Sequence, residues 1–186
     1  GKAIAIPKGI VTLFGVLAVI SFLGEGGMMD WSGVFLTEAK GVDLSLAGVG
    51  YAVFSAAMLI GRLIGDKVVQ KLGEQRVVIF GGIVASVGYI ISIVFDNFFM
   101  MQFGFILLGF GAANIVPVVF TLLGRQKEMP INSAVTAVTS MGYLGVMFGP
   151  ALLGFIAHGI GIVAVFCILD GMFFLEALVS SYVFKF

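Results

Sequence analysis

A carboxylate in the middle of an apolar run is suited to hold and hand on a proton inside a membrane. Glu25 is so placed, in Gly24-Glu25-Gly26-Gly27, sixteen residues into a run that opens at Gly9. At the centre of a bilayer an ionised acid costs about 2.5–3.5 kcal/mol on insertion scales unless it faces a cavity or a partner. Desolvation favours the neutral form, so a cavity that opens and closes around Glu25 would let it take up and release a proton. The competing reading is a neutral Glu hydrogen-bonded for structure alone. Asp30 follows in Gly27-Met28-Met29-Asp30-Trp31-Ser32, about 140° further around an ideal helix. The two acids therefore share a face only if the glycines bend the chain. Trp31 is a residue type enriched at the membrane surface, so Asp30 is either a binding contact or a carboxylate of the outer interface. Asn114 has an amide that both donates and accepts, which suits a neutral polar ligand such as a sugar hydroxyl or, equally, a neighbouring helix. Gln102 is a weaker candidate of the same kind. Tyr143, in Met141-Gly142-Tyr143-Leu144-Gly145, is a further possible ligand contact.

A second constellation is built for holding an end of the bundle rather than for chemistry. Gly61-Arg62-Leu63-Ile64-Gly65-Asp66-Lys67 leads through Lys71 to Gly73, Glu74 and Arg76. Arg62 and Asp66 are spaced i,i+4, so on one continuous helix they stack and can pair. The same residues serve either as a gate closed by salt bridges or as a charged anchor at the interface. Asp170 and Glu176 lie six apart, about 120° around a helix, and cannot point the same way. Lipid exposure, a hydrogen bond inside the bundle and a partner outside this chain remain their alternatives. With one His and one Cys there is neither a metal-ligating cluster nor a disulfide, and no motif pairs a nucleophile with a base. The expectation is no enzyme, no metal and no cofactor.

These residues must be positioned by membrane helices. Of the 186 residues 60% are hydrophobic and 11% charged, and mean hydropathy is +1.18. Soluble domains are about 45–50% apolar and about 25% charged. The balance of 10 Lys+Arg against 10 Asp+Glu also leaves no basic surface for nucleic acid. Six helix-length apolar segments fit the chain, at 9–38, 43–67, 76–95, 98–124, 131–158 and 161–184, separated by charged, polar or Gly/Pro breaks. The fold class is all-α, a polytopic membrane protein forming one six-helix domain over 1–186. Strands are excluded because the runs are continuously apolar rather than alternating. Lys2, Lys8, Arg62, Lys67, Lys71, Arg76, Arg125, Lys127 and Lys185 fall on one side of this arrangement and Lys40 on the other. That asymmetry puts both termini in the cytoplasm. Two inverted three-helix repeats would make the first and fourth helices equivalent, and Gly24 to Gly27 and Gly109 to Pro117 would then be paired breaks near mid-membrane. The fifth helix carries Gly142, Gly145, Gly149 and Gly154 for close packing, and Pro150 predicts a kink in it.

Six helices with both ends inside, the Gly61 to Lys67 run with Gly73, and Gly142-Tyr143-Leu144-Gly145 with Gly149-Pro150 resemble one half of a major facilitator superfamily transporter. The stretch from Glu25 to Leu36 and Asn114-Ile115-Val116-Pro117-Val118-Val119-Phe120 resemble its fucose-permease-like branch. Asp66 and Lys67 match the superfamily signature after the second helix. Arg62 departs from its leading glycine unless Gly61 serves, and Gly73 comes late. That degraded form is typical of the C-terminal half, and the chain begins with Gly1 rather than Met, as a piece of something longer would. The resemblance implies alternating access, with the first and fourth helices of each half lining the cavity, which lands on Glu25 and Asn114. The function expected is secondary active transport, proton-coupled through Glu25, of a small polar solute such as a sugar or metabolite. The expected partners are the solute, protons, the bilayer, and the other half or a second copy of the chain. The alternatives are a self-sufficient homodimeric half-carrier and a non-transporting membrane receptor or scaffold.

Overall fold

The computed structural model describes residues 5–184, so Lys2 and Lys185 of the charge argument lie outside the described residues. The helices are α1 (Ile10–Val34), α2 (Val49–Leu63), α3 (Gly65–Leu72), α4 (Glu74–Val94), α5 (Phe98–Ala112), α6 (Ile115–Leu123), α7 (Ile131–Ile160) and α8 (Ile162–Val183). No strand occurs among the described residues. Helix α1 continues into a π-helical turn, Phe35–Ala39, and a 3-10 turn, Leu44–Leu46, precedes α2. Joined in this way they make six helical stretches long and apolar enough to cross a membrane. Asp43 caps the 3-10 turn. Hydrogen bonds from the Ser45 hydroxyl and the Ser45 amide hold its carboxyl below the ordinary carboxylate range.

The two ends of the bundle are each tied by charge. At one end Lys40 bonds the Ile93 carbonyl at 2.6 Å and the Asp96 carboxylate at 2.8 Å, joining the connection after the first span to that after the third. At the other, Arg125 pairs with Glu74, and the Glu128 carboxylate accepts the Ile10 amide at 3.0 Å. Odd and even connections therefore occupy opposite ends, as six antiparallel crossings require.

Small residues decide how closely the helices approach. Helix α4 packs on both α5 and α8, α2 on α5, and α1 on α7. Gly88 and Gly104 face one another across α4 and α5, so a Cβ on either would run into the other helix's backbone. Between α1 and α7, Gly142 accommodates the Phe22 ring, Gly149 the Leu23 side chain and Gly154 the Trp31 ring. Without a water-driven force between helices in lipid, such contacts supply much of the association energy.

Several expected boundaries move. Helix α1 runs unbroken through Gly24 to Gly27. The Phe173 ring of α8 lies where a side chain on Gly24 would go, and Leu169 does the same at Gly27; these glycines make room for α8 rather than a break. The fourth span is interrupted, between Ala112 and Ile115, so the expected pair of broken helices reduces to one. The second span, expected over 43–67, ends its regular helix at Leu63. Ile64 (φ −92°, ψ −1°) forms a joint to the separate helix α3. Helix α7 passes through Pro150 without interruption and on to Ile160. Gly73 (φ +85°) and Gly161 (φ +96°) make the turns into α4 and α8 in a conformation that L side chains rarely adopt.

Candidate functional site

The joint at Ile64 and the interruption at Asn114 lie against each other. Pro117 has no N–H, so the Ala113 carbonyl four residues earlier loses its intrahelical donor. Arg62 supplies the replacement, its Nε donating to the Ala113 carbonyl at 3.2 Å. Asn114 returns a bond, its Nδ2 donating to the Gly61 carbonyl at 2.9 Å. Gly61 and Gly65 are buried against Ala113 and Asn114, and a side chain on either would push the two spans apart. The result is a reciprocal clasp of side chains on the backbones of two interrupted spans.

The same Arg62 faces α1. Its terminal nitrogen lies 3.7 Å from a Glu25 carboxylate oxygen, an ion pair longer than a hydrogen bond. The expected Arg62–Asp66 pair is not formed. The Ile64 joint breaks the continuous helix that i,i+4 stacking needs, and the guanidinium is turned toward Ala113 and Glu25 instead. Both side chains remain partly open, Glu25 at 37% and Arg62 at 47%.

Each partner lines a cavity of its own. One, of about 220 Å³, is lined by Phe22, Glu25, Asp30, Tyr51, Gly149 and Pro150. Asp30 near the end of α1 and Tyr51 near the start of α2 place it toward the Lys40–Asp96 end. The other, of about 400 Å³, is lined by Arg62, Asp66, Gln70, Glu74, Asn114 and Thr121, toward the Arg125–Glu74 end. Glu25 belongs to the first lining and Arg62 to the second. Glu25 and Asp30 share a cavity although α1 is regular, because the cavity wraps around that face of the helix.

The remaining expected residues are placed as follows. Tyr143 is 69% exposed on α7 and lines neither cavity. Lys67 is exposed on α3, Gly73 makes the turn already described, and Arg76 lies in the first turn of α4. Asp170 accepts a 2.6 Å hydrogen bond from the Ser86 hydroxyl of α4, whereas Glu176 is buried with neither carboxylate oxygen bonded. No cluster of metal-ligating residues occurs among the described residues.

Two contributors escaped the sequence reading. Tyr51 lines the Glu25 cavity, and the fully buried Tyr89 donates its hydroxyl to the Gly24 carbonyl at 3.3 Å, tying α4 to α1 beside Glu25. The available signal was a phenol inside an apolar run, since a buried hydroxyl normally seeks an acceptor. Arg62 as the partner of Glu25 was also readable in part, because a carboxylate at depth calls for a cation and Arg62 is the basic residue set furthest into the second span.

Comparisons with known proteins agree with this architecture. A profile of the Major Facilitator Superfamily matches residues 10–185. An uncharacterised MFS-type transporter of Yersinia pestis is 47% identical over 158 residues, covering 85% of this chain and 41% of the relative. Membrane protein MosC of Rhizobium meliloti is 30% identical over 150 residues, covering 81% of this chain and 37% of the relative. The chain thus spans about two fifths of the length of these curated relatives. Among solved structures, a peptide transporter POT in complex with sulfate superposes with a TM-score of 0.82 at 17% identity, over 97% of this chain and 40% of its own.

Proposed function

Because the chain belongs to the Major Facilitator Superfamily, we propose that it forms one half of a secondary active transporter working by alternating access. In this reading it is the C-terminal half, of the fucose-permease-like branch, in a bacterial inner membrane with both termini cytoplasmic. Protons couple through Glu25, and the solute is a small polar molecule such as a sugar or related metabolite, for which the Asn114 amide and Tyr143 are candidate contacts. The observation that carries the proposal is the Glu25–Arg62 pair, with one partner in the lining of a cavity toward one end of the bundle and the other partner in the lining of a cavity toward the opposite end.

The physical logic is short. While Glu25 is ionised it attracts Arg62, whose guanidinium is also held by the Ala113 carbonyl, so the first, second and fourth spans are drawn together at mid-depth. A proton on Glu25 removes that attraction and leaves the clasp between the second and fourth spans intact. The first span, packed mainly on α7, then loses its charged tie to that clasp. Gly61, Gly65, Asp66, Lys67, Gly73 and Arg76 act in this scheme as the joint and gate below the pair. A cavity wall of this kind needs an opposite wall, supplied by the other half or by a second copy. The fifth span fits such a position, since only 11% of its most apolar stretch is buried within the chain against 56% for the first.

The test is Glu25→Gln in the complete carrier, reconstituted in vesicles with an imposed pH gradient and offered labelled sugars and related metabolites. Uphill accumulation of a transported solute should vanish while downhill exchange persists. Unchanged uphill accumulation would remove Glu25 from the coupling.

A further inference from the structure

Below Glu25 the contact between α1 and α8 holds polar groups that no role above uses. The register of the two antiparallel helices follows from three contacts: Gly27 with Leu169, Gly24 with Phe173, and Phe14 with Phe184, whose rings stack 6.3 Å apart. From that register, helical spacing puts Leu17 and Ser21 on the same face of α1 as Phe14 and Gly24, and Glu176 and Ser180 on the same side of α8 as Phe173, with Phe184 just past its end. Ser21 therefore lies level with Glu176, with Ser180 one turn nearer the Arg125–Glu74 end. All three are buried, at 4%, 1% and 0% exposure, and none of their side-chain oxygens has a hydrogen-bond partner.

We propose that Glu176, flanked by Ser21 and Ser180 in the α1–α8 seam, is a second proton-binding site, linked to Glu25 by Ser21 one turn away on α1. Its part in transport rests on the proton-coupled reading above; the site itself does not. Polar groups buried without partners are rare and call for an explanation. A lone carboxylate among apolar helices in a bilayer is the costliest of them. The titratable groups on the helices around α8 are Glu25, Asp30 and Glu38 on α1 and its π-helical end, Glu74, Arg76 and Tyr89 on α4, and Tyr143 and His158 on α7. None forms a hydrogen bond or ion pair with Glu176 among the described residues. With no cation paired to it among the described residues, the charge is neutralised by a proton, which needs no cavity of its own. Phe14 and Phe184 at the foot of the seam also line a pocket at the Arg125–Glu128 end, so the seam leads from Glu25 toward that surface.

Infrared difference spectroscopy of the protein in lipid nanodiscs at neutral pH tests this directly. The expected result is a protonated-carboxyl C=O stretch, shifted in D₂O, that is lost in Glu176→Gln, kept in Glu25→Gln and moved in frequency in Ser21→Ala. A Glu176→Gln spectrum superimposable on the wild type overturns the site. A band lost only in Glu25→Gln supports the coupling carboxyl and likewise overturns the Glu176 site. Gln has the shape of the neutral acid, so Glu176→Gln should keep the thermal midpoint; a marked fall would mean that an ionised Glu176 was being held by a cation, which also overturns the proposal.

Discussion

The Ala113 carbonyl has no amide to bond within its own helix, because the residue four positions on is Pro117. A long cationic side chain from the next helix fills the vacancy at 3.2 Å, and that one substitution of donors aims Arg62 at Glu25. Charge at depth and backbone interruption thus become one device. Lys cannot reproduce it: its single ammonium would have to choose between the carbonyl and the carboxylate, whereas the guanidinium fork serves both. Asn114 is the neutral half of the clasp. Asn114→Ala should lower stability by about 1 kcal/mol, the net worth of one part-buried hydrogen bond. Thermal unfolding in a mild detergent reads this, and a midpoint equal to the wild type would show that the bond to the Gly61 carbonyl contributes nothing.

At the scale of elements, glycine positions separate into those that carry backbone contact and those that do not. A methyl on Gly104 would meet the Gly88 carbonyl of α4 at 2.6 Å and the Ser92 amide at 3.0 Å, while Gly171 on α8 has nothing within 4 Å. Gly104→Ala should therefore destabilise the protein by about 1–3 kcal/mol, the usual cost of overpacking. Gly171→Ala should be neutral or raise stability by about 0.5–1 kcal/mol through helix propensity. Equal midpoints for the two variants would count against the close α4–α5 approach. The Ile64 joint belongs to this scale too. It turns what reads as one 25-residue run, 43–67, into a membrane helix and a short helix α3 with Asp66, Lys67, Gln70 and Lys71 along it, so charged residues leave the apolar layer at the bend.

For the whole molecule, the two charged ties predict sidedness. Lys40 with Asp96 marks one end and Arg125 with Glu74 the other, and in the orientation proposed above the second pair faces the cytoplasm. With Cys167 replaced by Ser, a cysteine at Ser45 should react with an impermeant thiol reagent in intact cells. One at Gln126 should react only after permeabilisation. The reverse pattern would invert the orientation drawn from the positive charges. The exposed fifth span belongs to this scale as well, since its apolar face is finished only by lipid or a second wall.

Six helical stretches long and apolar enough to cross a membrane were legible in the sequence. Each is a local property: a run of apolar side chains must be about as long as the bilayer is thick, and charges must lie outside it. Glu25 was legible for the same reason, because a carboxylate inside such a run is anomalous wherever the helices go. Its partner was not. Arg62 reads as the neighbour of Asp66 as long as the second span is one helix, and only the Ile64 joint and the bare Ala113 carbonyl turn it toward Glu25. The glycines around Glu25 read as a break, whereas packing against Phe173 and Leu169 makes them clearance for a neighbour. Asp170 and Glu176 could not be ranked from spacing because their difference is which helix each one meets: a Ser86 hydroxyl for the first, a seam without bonded partners for the second. Composition and run length determine which helices are long and apolar enough to cross a membrane. Which face meets which neighbour depends on contacts between residues far apart in the chain, and only the tertiary structure decides those.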